Sequence, residues 1–238
     1  MKGAMSRLPS NICLFCLALA VSLHAQRQPN CLAPSNEPLV QAIRDGDLDK
    51  ASKMIHSAGA KLNILDQCGA NPLLEAIRWD YRDFAVELIS VGADPKFLHG
   101  GAEALAGAAY MCNLKMAHEL LKRGVLVNAT DARGITALME APSQRCADGA
   151  VVQLLLDAGA DPNLKDRNGF NALLAAAMTG DAAGAEKLLK AGADPTAKDK
   201  YGSTPDSEAC DRGERGHAQV CALLREALAK TATRPSDR

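Results

Sequence analysis

Residues 158–192 read AGADPNLKDRNGFNALLAAAMTGDAAGAEKLLKAG, and at Ala191 the opening AGADP starts again. Working outward, the same string recurs in altered form: SAGAKLN from Ser57, VGADPKF from Val91 and RGVLVNA from Arg123. Its glycines, Gly59, Gly92, Gly124, Gly159 and Gly192, are spaced by 33, 32, 35 and 33 residues. A second marker travels with it: EPLVQAI (37–43), NPLLEAI (71–77), EALAGAA (103–109), TALMEAP (136–142), NALLAAA (171–177) and TPDSEAC (204–210). Its leucines, Leu39, Leu73, Leu105, Leu138 and Leu173, recur at 34, 32, 33 and 35. Two markers at one period define a repeat of about 33 residues, a unit too small to bury its apolar face alone.

Each unit has a physical reading. Glu37, Asn71, Thr136, Asn171 and Thr204 precede a short apolar segment, and most of these types cap a helix N-terminus. Pro38, Pro72 and Pro205 follow, at the first helical position, where a missing N–H costs nothing. A first helix of about two turns ends near Gly46, Asp80, Asn113 and Gly180. A second carries an apolar block such as VVQLLLDAG (151–159). It closes on glycine, which accepts the left-handed backbone of a helix end. Polar turns such as Asp166–Gly169 and Asp131–Gly134 link the units.

This pattern resembles the ankyrin repeat family over roughly residues 35–228. The Gly-Ala-Asp helix ending is clear in three units, while the family's Thr-Pro-Leu-His start is degraded. The resemblance implies an all-α solenoid of helix pairs with β-turn fingers. It also implies a binding scaffold for other proteins, with function in surface residues rather than in a catalytic pocket. About six units are expected. The last is degenerate, with Asp206 at the leucine position and extra residues near Arg212–Arg215. A flexible tail is expected over 229–238.

Composition agrees. The chain has 238 residues, 47% hydrophobic, 23% charged and only 3% aromatic, with 27 basic and 28 acidic side chains. Without excess positive charge it is not expected to bind nucleic acid through phosphate neutralisation. At the start, Lys2 and Arg7 precede the apolar run ICLFCLALAVSL (12–23). Twelve residues are too few to span a bilayer as a helix, but suit the core of a signal peptide cut after Ala25; the alternative is an uncleaved anchor. Residues 26–34 are expected to form an N-terminal segment. The mature chain is therefore expected to be exported, periplasmic or secreted, free of the membrane, and a monomer.

Six cysteines remain after such a cut: Cys31, Cys68, Cys112, Cys146, Cys210 and Cys221. An even number in an exported protein reads first as disulfides. Fifteen pairings exist; the pairing considered joins Cys112 to Cys146, Cys210 to Cys221 and Cys31 to Cys68. Free buried thiols are the alternative.

In each first helix, positions two, five and six after the marker leucine are expected to face an inner groove. They are Gln41, Arg44 and Asp45; Glu75, Arg78 and Trp79; Gly107, Tyr110 and Met111; Glu140, Ser143 and Gln144; Ala175, Met178 and Thr179. Trp, Tyr and Arg often dominate interface energy. A partner site is therefore expected around Trp79 and Tyr110, with Arg44, Arg78 and Met111 beside them and Phe97 extending it from the next finger. The alternative is that these rings cover the loops between helices.

Catalytic and metal motifs are lacking. No nucleophile elbow, phosphate loop, dinucleotide fingerprint or paired-histidine zinc motif is present. His118-Glu119 lacks the second histidine. Cys210, His217 and Cys221 offer only three ligands. Asp45, Asp47 and Asp49 lack the rest of a calcium loop. Cys112 and His118 lack a third partner for nucleophilic chemistry. The expectation is a non-enzymatic protein-binding scaffold without cofactor or metal. Narrower alternatives are an inhibitor or immunity protein against one enzyme, and an accessory protein in oxidative-stress protection.

Overall fold

A computed structural model describes residues 35–142, 146, 148–211 and 215–232. Helices come in pairs. The first members are α1 (Pro38–Arg44), α3 (Pro72–Arg78), α5 (Ala102–Tyr110), α7 (Ala137–Glu140), α9 (Ala172–Thr179) and α11 (Pro205–Cys210). Their seconds are α2 (Leu48–Ile55), α4 (Arg82–Ser90), α6 (Leu114–Lys122), α8 (Ala150–Asp157), α10 (Ala182–Lys190) and α12 (Arg215–Ala232). Each helix packs on its pair-mate and on the equivalent helix of the next unit. Among the described residues there is no strand, only an isolated bridge between Thr130 and Thr136. The architecture is the expected all-α solenoid.

The marker leucines build its core. Leu73, Leu105, Leu138 and Leu173 are 2% exposed or less, and Leu88, Leu120, Leu155 and Leu188 of the second helices are fully buried. All eight belong to one continuous apolar cluster. The stack thus buries what each unit leaves bare.

Local chemistry sets the ends. Asn71 accepts from the Leu73 and Leu74 N–H groups, Asn171 from Leu174, and Thr204 forms a capping box with Ser207. Glu37 and Thr136 make no such side-chain bond, so two of the expected caps are empty. Asp47, Asn113 and Asp181 cap second helices instead. Gly159, at φ 87°, turns the chain at the end of α8. There its N–H donates to Leu156 and that of Ala160 to Leu155, the paired bonds of a left-handed helix end.

Four fingers share one device. Asp66, Asp131, Asp166 and Asp199 each accept two backbone N–H groups, two and four residues on. The third unit differs. It is one residue shorter between its marker glycine and leucine, has no such Asp, and replaces the finger by a 3-10 turn over His99–Gly101. The row of fingers therefore has a gap there.

Other departures have local causes. Helix α7 has four residues rather than two full turns, because Pro142 lacks the N–H the next turn needs. Helix α12 runs to Ala232, so residues 229–232, expected in the tail, are helical; Glu226 and Lys230 pair across one turn, 2.6 Å apart. The expected signal peptide and N-terminal segment lie outside the described residues, as does 233–238. No described helix is long and apolar enough to cross a membrane.

Candidate functional site

Position two is buried in four of the five first helices in which it was expected outward; Gln41 of the first unit stays half-buried. Glu75 is 2% exposed, Glu140 4% and Ala175 1%, and Gly107 is buried. The cause is close stacking. Helix α5 is Ala- and Gly-rich, and a Cβ on Gly107 would come within 3.0 Å of Ile77 Cγ2. Neighbouring first helices therefore approach closely at position two. Met178, also expected outward, is 7% exposed. Ser143 and Gln144 lie outside the described residues.

Glu75 organises three of the expected partner residues. Its Oε2 accepts from Trp79 Nε1 at 3.1 Å and from Arg44 Nε at 3.4 Å, and its Oε1 takes the Arg78 guanidinium. Arg44 also reaches Asp66 of the finger at 2.9 Å. Burial pushes the Asp66 carboxyl up. Backbone N–H groups of Ala70 and Cys68, the Ser35 side chain and the Arg44 charge outweigh it and hold the group below its ordinary value. The two arginines are thus each paired with a buried carboxylate while their side chains stay partly exposed, 19% for Arg44 and 34% for Arg78. Each buried carboxylate needs a paired cation.

Trp79 caps the C-terminus of α3 and remains 43% exposed. Its N–H bond to Glu75 pins the ring at this helix end. Tyr110 and Met111, half-buried, end α5, which stacks on α3. Phe97 is 39% exposed but does not join them. It shares a small cleft with Asn71 and Ala104, at the N-terminal ends of the same helices. Helix length separates it from Trp79 by about 10 Å.

Glu140, expected outward, is the group whose burial sequence reasoning missed. Its Oε1 is buried without a hydrogen-bond partner. Burial raises its carboxyl to about 7; the Arg133 charge opposes this and Asp131 adds to it. A glutamate at the second position was visible, but which way it points depends on helix spacing.

The cysteines lie near one another where expected. Cys112 and Cys146 have Cα atoms 5.6 Å apart, and Cys210 and Cys221 5.0 Å, with the sulfurs at bonding distance. Both separations suit a disulfide. Cys68 is disulfide-bonded, and Cys31, its considered mate, lies outside the described residues. The structure does not bring His217 to Cys210 and Cys221; its Nε2 sits 3.0 Å from the Met178 carbonyl. Asp206 stands there instead, its ligand atom and the two sulfurs lying within 4.8 Å of one another. Asp47 is spent on its cap and Asp45 accepts from Gln41. His118 is exposed on α6, facing an open groove with Val86, Leu114 and Leu154.

Comparison with known proteins agrees with this geometry. The sequence pattern of ankyrin repeats, in three copies, matches residues 105–199 and, overlapping, 138–233. The chain belongs to the ankyrin repeat family. An ankyrin repeat-containing protein of Treponema pallidum is 40% identical over 147 residues, 61% of this chain and 48% of that protein. An ankyrin repeat domain-containing protein of Stachybotrys chartarum is 33% identical over 148 residues, 61% of this chain and 7% of its own length. The human mitochondrial disaggregase is 49% identical over 63 residues, 26% of this chain and 9% of its own. This ankyrin repeat chain therefore matches less than half the length of each of these relatives. Ankyrin repeats generally mediate protein–protein interaction.

Proposed function

We propose that this chain is an exported, non-catalytic ankyrin repeat scaffold that binds another protein through the groove end formed by Trp79, Tyr110 and Met111. One observation carries the reading: a large ring, 43% exposed, is held in a fixed orientation by a buried carboxylate. A preorganised aromatic loses little freedom on binding and suits a hot spot. Arg44 and Arg78 act as its support rather than as contacts, and Phe97 forms a separate contact at the opposite helix end. The protein works as a monomer, without nucleic acid, membrane or cofactor.

Export is supported by the early apolar run and by cysteine pairs at disulfide distance. The disulfides proposed are Cys112–Cys146, Cys210–Cys221 and Cys31–Cys68. A thiol count on the unreduced mature chain tests them: no free thiol is expected, and six would refute them. Affinity capture from the exported fraction tests the groove. A partner held by the wild type and lost with Trp79→Ala is expected; equal capture by both refutes the site.

A further inference from the structure

The second and fourth units carry the same pair of acids. Asp66 and Glu75 are nine residues apart, as are Asp131 and Glu140, the first on the finger and the second two residues past the marker leucine. In the second unit Arg44, from the unit below, clamps both, with Asp66 Oδ2 at 2.9 Å and Glu75 Oε2 at 3.4 Å. The residue in Arg44's place below the fourth unit, five after its own marker leucine, is Tyr110. It supplies no cation.

Asp131 compensates locally. Its Oδ1 accepts the Arg133 and Ile135 N–H groups and its Oδ2 the Arg133 side chain, at 2.9 Å from Nε and 2.8 Å from the terminal nitrogen. Glu140 is not compensated. It is 4% exposed, and its Oε1 has no partner. A lost hydrogen bond at a buried polar group is costly, yet the side chain remains a glutamate where Ala175 serves one unit on. Gly107, between Glu75 and Glu140 in the column, adds no side chain.

The geometry points to Glu140, with Asp131 beside it, as the receptor for a guanidinium brought by the protein partner, which completes there the arrangement that Arg44 makes with Glu75. A guanidinium fits because its charge can pair with two carboxylates at once, as Arg44 does by a hydrogen bond to Glu75 and an ion pair with Asp66. The inference rests on the groove being the partner's seat, and it names that partner's chemistry: an arginine presented next to Tyr110. The entering charge also draws the proton off Glu140, so binding releases protons near neutral pH.

The test uses N-acetyl-arginine N-methylamide, an arginine with neutral ends, and its citrulline analogue. Each is titrated into the whole chain while the side-chain carboxyl resonance of Glu140 is followed by NMR. Saturable binding of the arginine probe alone, with a fall in the titration midpoint of Glu140, is expected. Glu140→Gln weakens the probe by about tenfold or more, the value of a charged hydrogen bond. Tyr110→Arg supplies the cation internally and abolishes probe binding, which keeps the test decisive if the first variant misfolds. Glu186→Gln, on exposed α10, changes nothing. Absence of saturation, equal binding of citrulline, or unchanged binding in Glu140→Gln overturns the inference. Those results leave the groove standing if Trp79→Ala still loses the partner; failure of the groove shows instead in capture that ignores Trp79.

Discussion

At the scale of single residues, two glutamates in equivalent places have opposite fates. Glu75 holds two arginines and an indole, while Glu140 is buried unpaired. The consequence is a pH dependence whose sign follows from linkage. In the unfolded chain Glu140 ionises at its ordinary 4.5; in the fold it keeps its proton to about 7. Between those values the folded state binds more protons, so stability falls as pH rises from about 4.5 through 7 and is level beyond. Glu140→Gln removes that loss. Urea unfolding of both chains at pH 4 and pH 8 is expected to favour the glutamine variant by roughly 3 kcal/mol more at the higher pH. Equal pH profiles would contradict the buried carboxyl. Removing Glu75 acts the other way. Glu75→Ala strands Arg78 and is expected to cost about 3 kcal/mol by denaturant titration.

Among the elements, caps separate helices that look alike in sequence. Asn171 bonds the Leu174 N–H at 2.9 Å, whereas Glu37 makes no cap bond. Asn171→Ala is expected to cost about 1 kcal/mol and Glu37→Ala close to nothing, both read from thermal unfolding. The element level also shows where sequence reading stops. Helix pairs, their order and their glycine ends were legible because apolar period and end chemistry are local. The direction of position two was not. It depends on how near α3, α5 and α7 approach, and Gly107, which leaves little room for a side chain against Ile77, contributes to that without leaving a periodic signal. The arginines read as groove contacts for the same reason, since their carboxylate partner was itself placed outside. Phe97 was placed with Trp79 because one unit's length looks short in sequence, although the two rings sit at opposite helix ends.

For the whole molecule, the stack is quasi-one-dimensional: each unit is held by its neighbours alone. Links between units therefore carry unusual weight. Cys112 and Cys146 join the third unit to the fourth, at the short first helix α7. Replacing both by serine is expected to lower stability by about 2–4 kcal/mol in denaturant titration under oxidising conditions. The same exchange made in reduced protein should change little. At this scale the sequence was most informative, since a period repeated over six units outweighs the ambiguity of any one helix.

The central claim is that a protein partner sits on the groove at Trp79 and not on the outer face. It is tested most directly by placing a photo-crosslinking benzoylphenylalanine at position 111, beside the intact Trp79, and separately at exposed Glu186 on α10, and irradiating the exported fraction. The account predicts one discrete adduct from position 111 and none from position 186. Adducts from position 186 alone, or the same adducts from both, would contradict it.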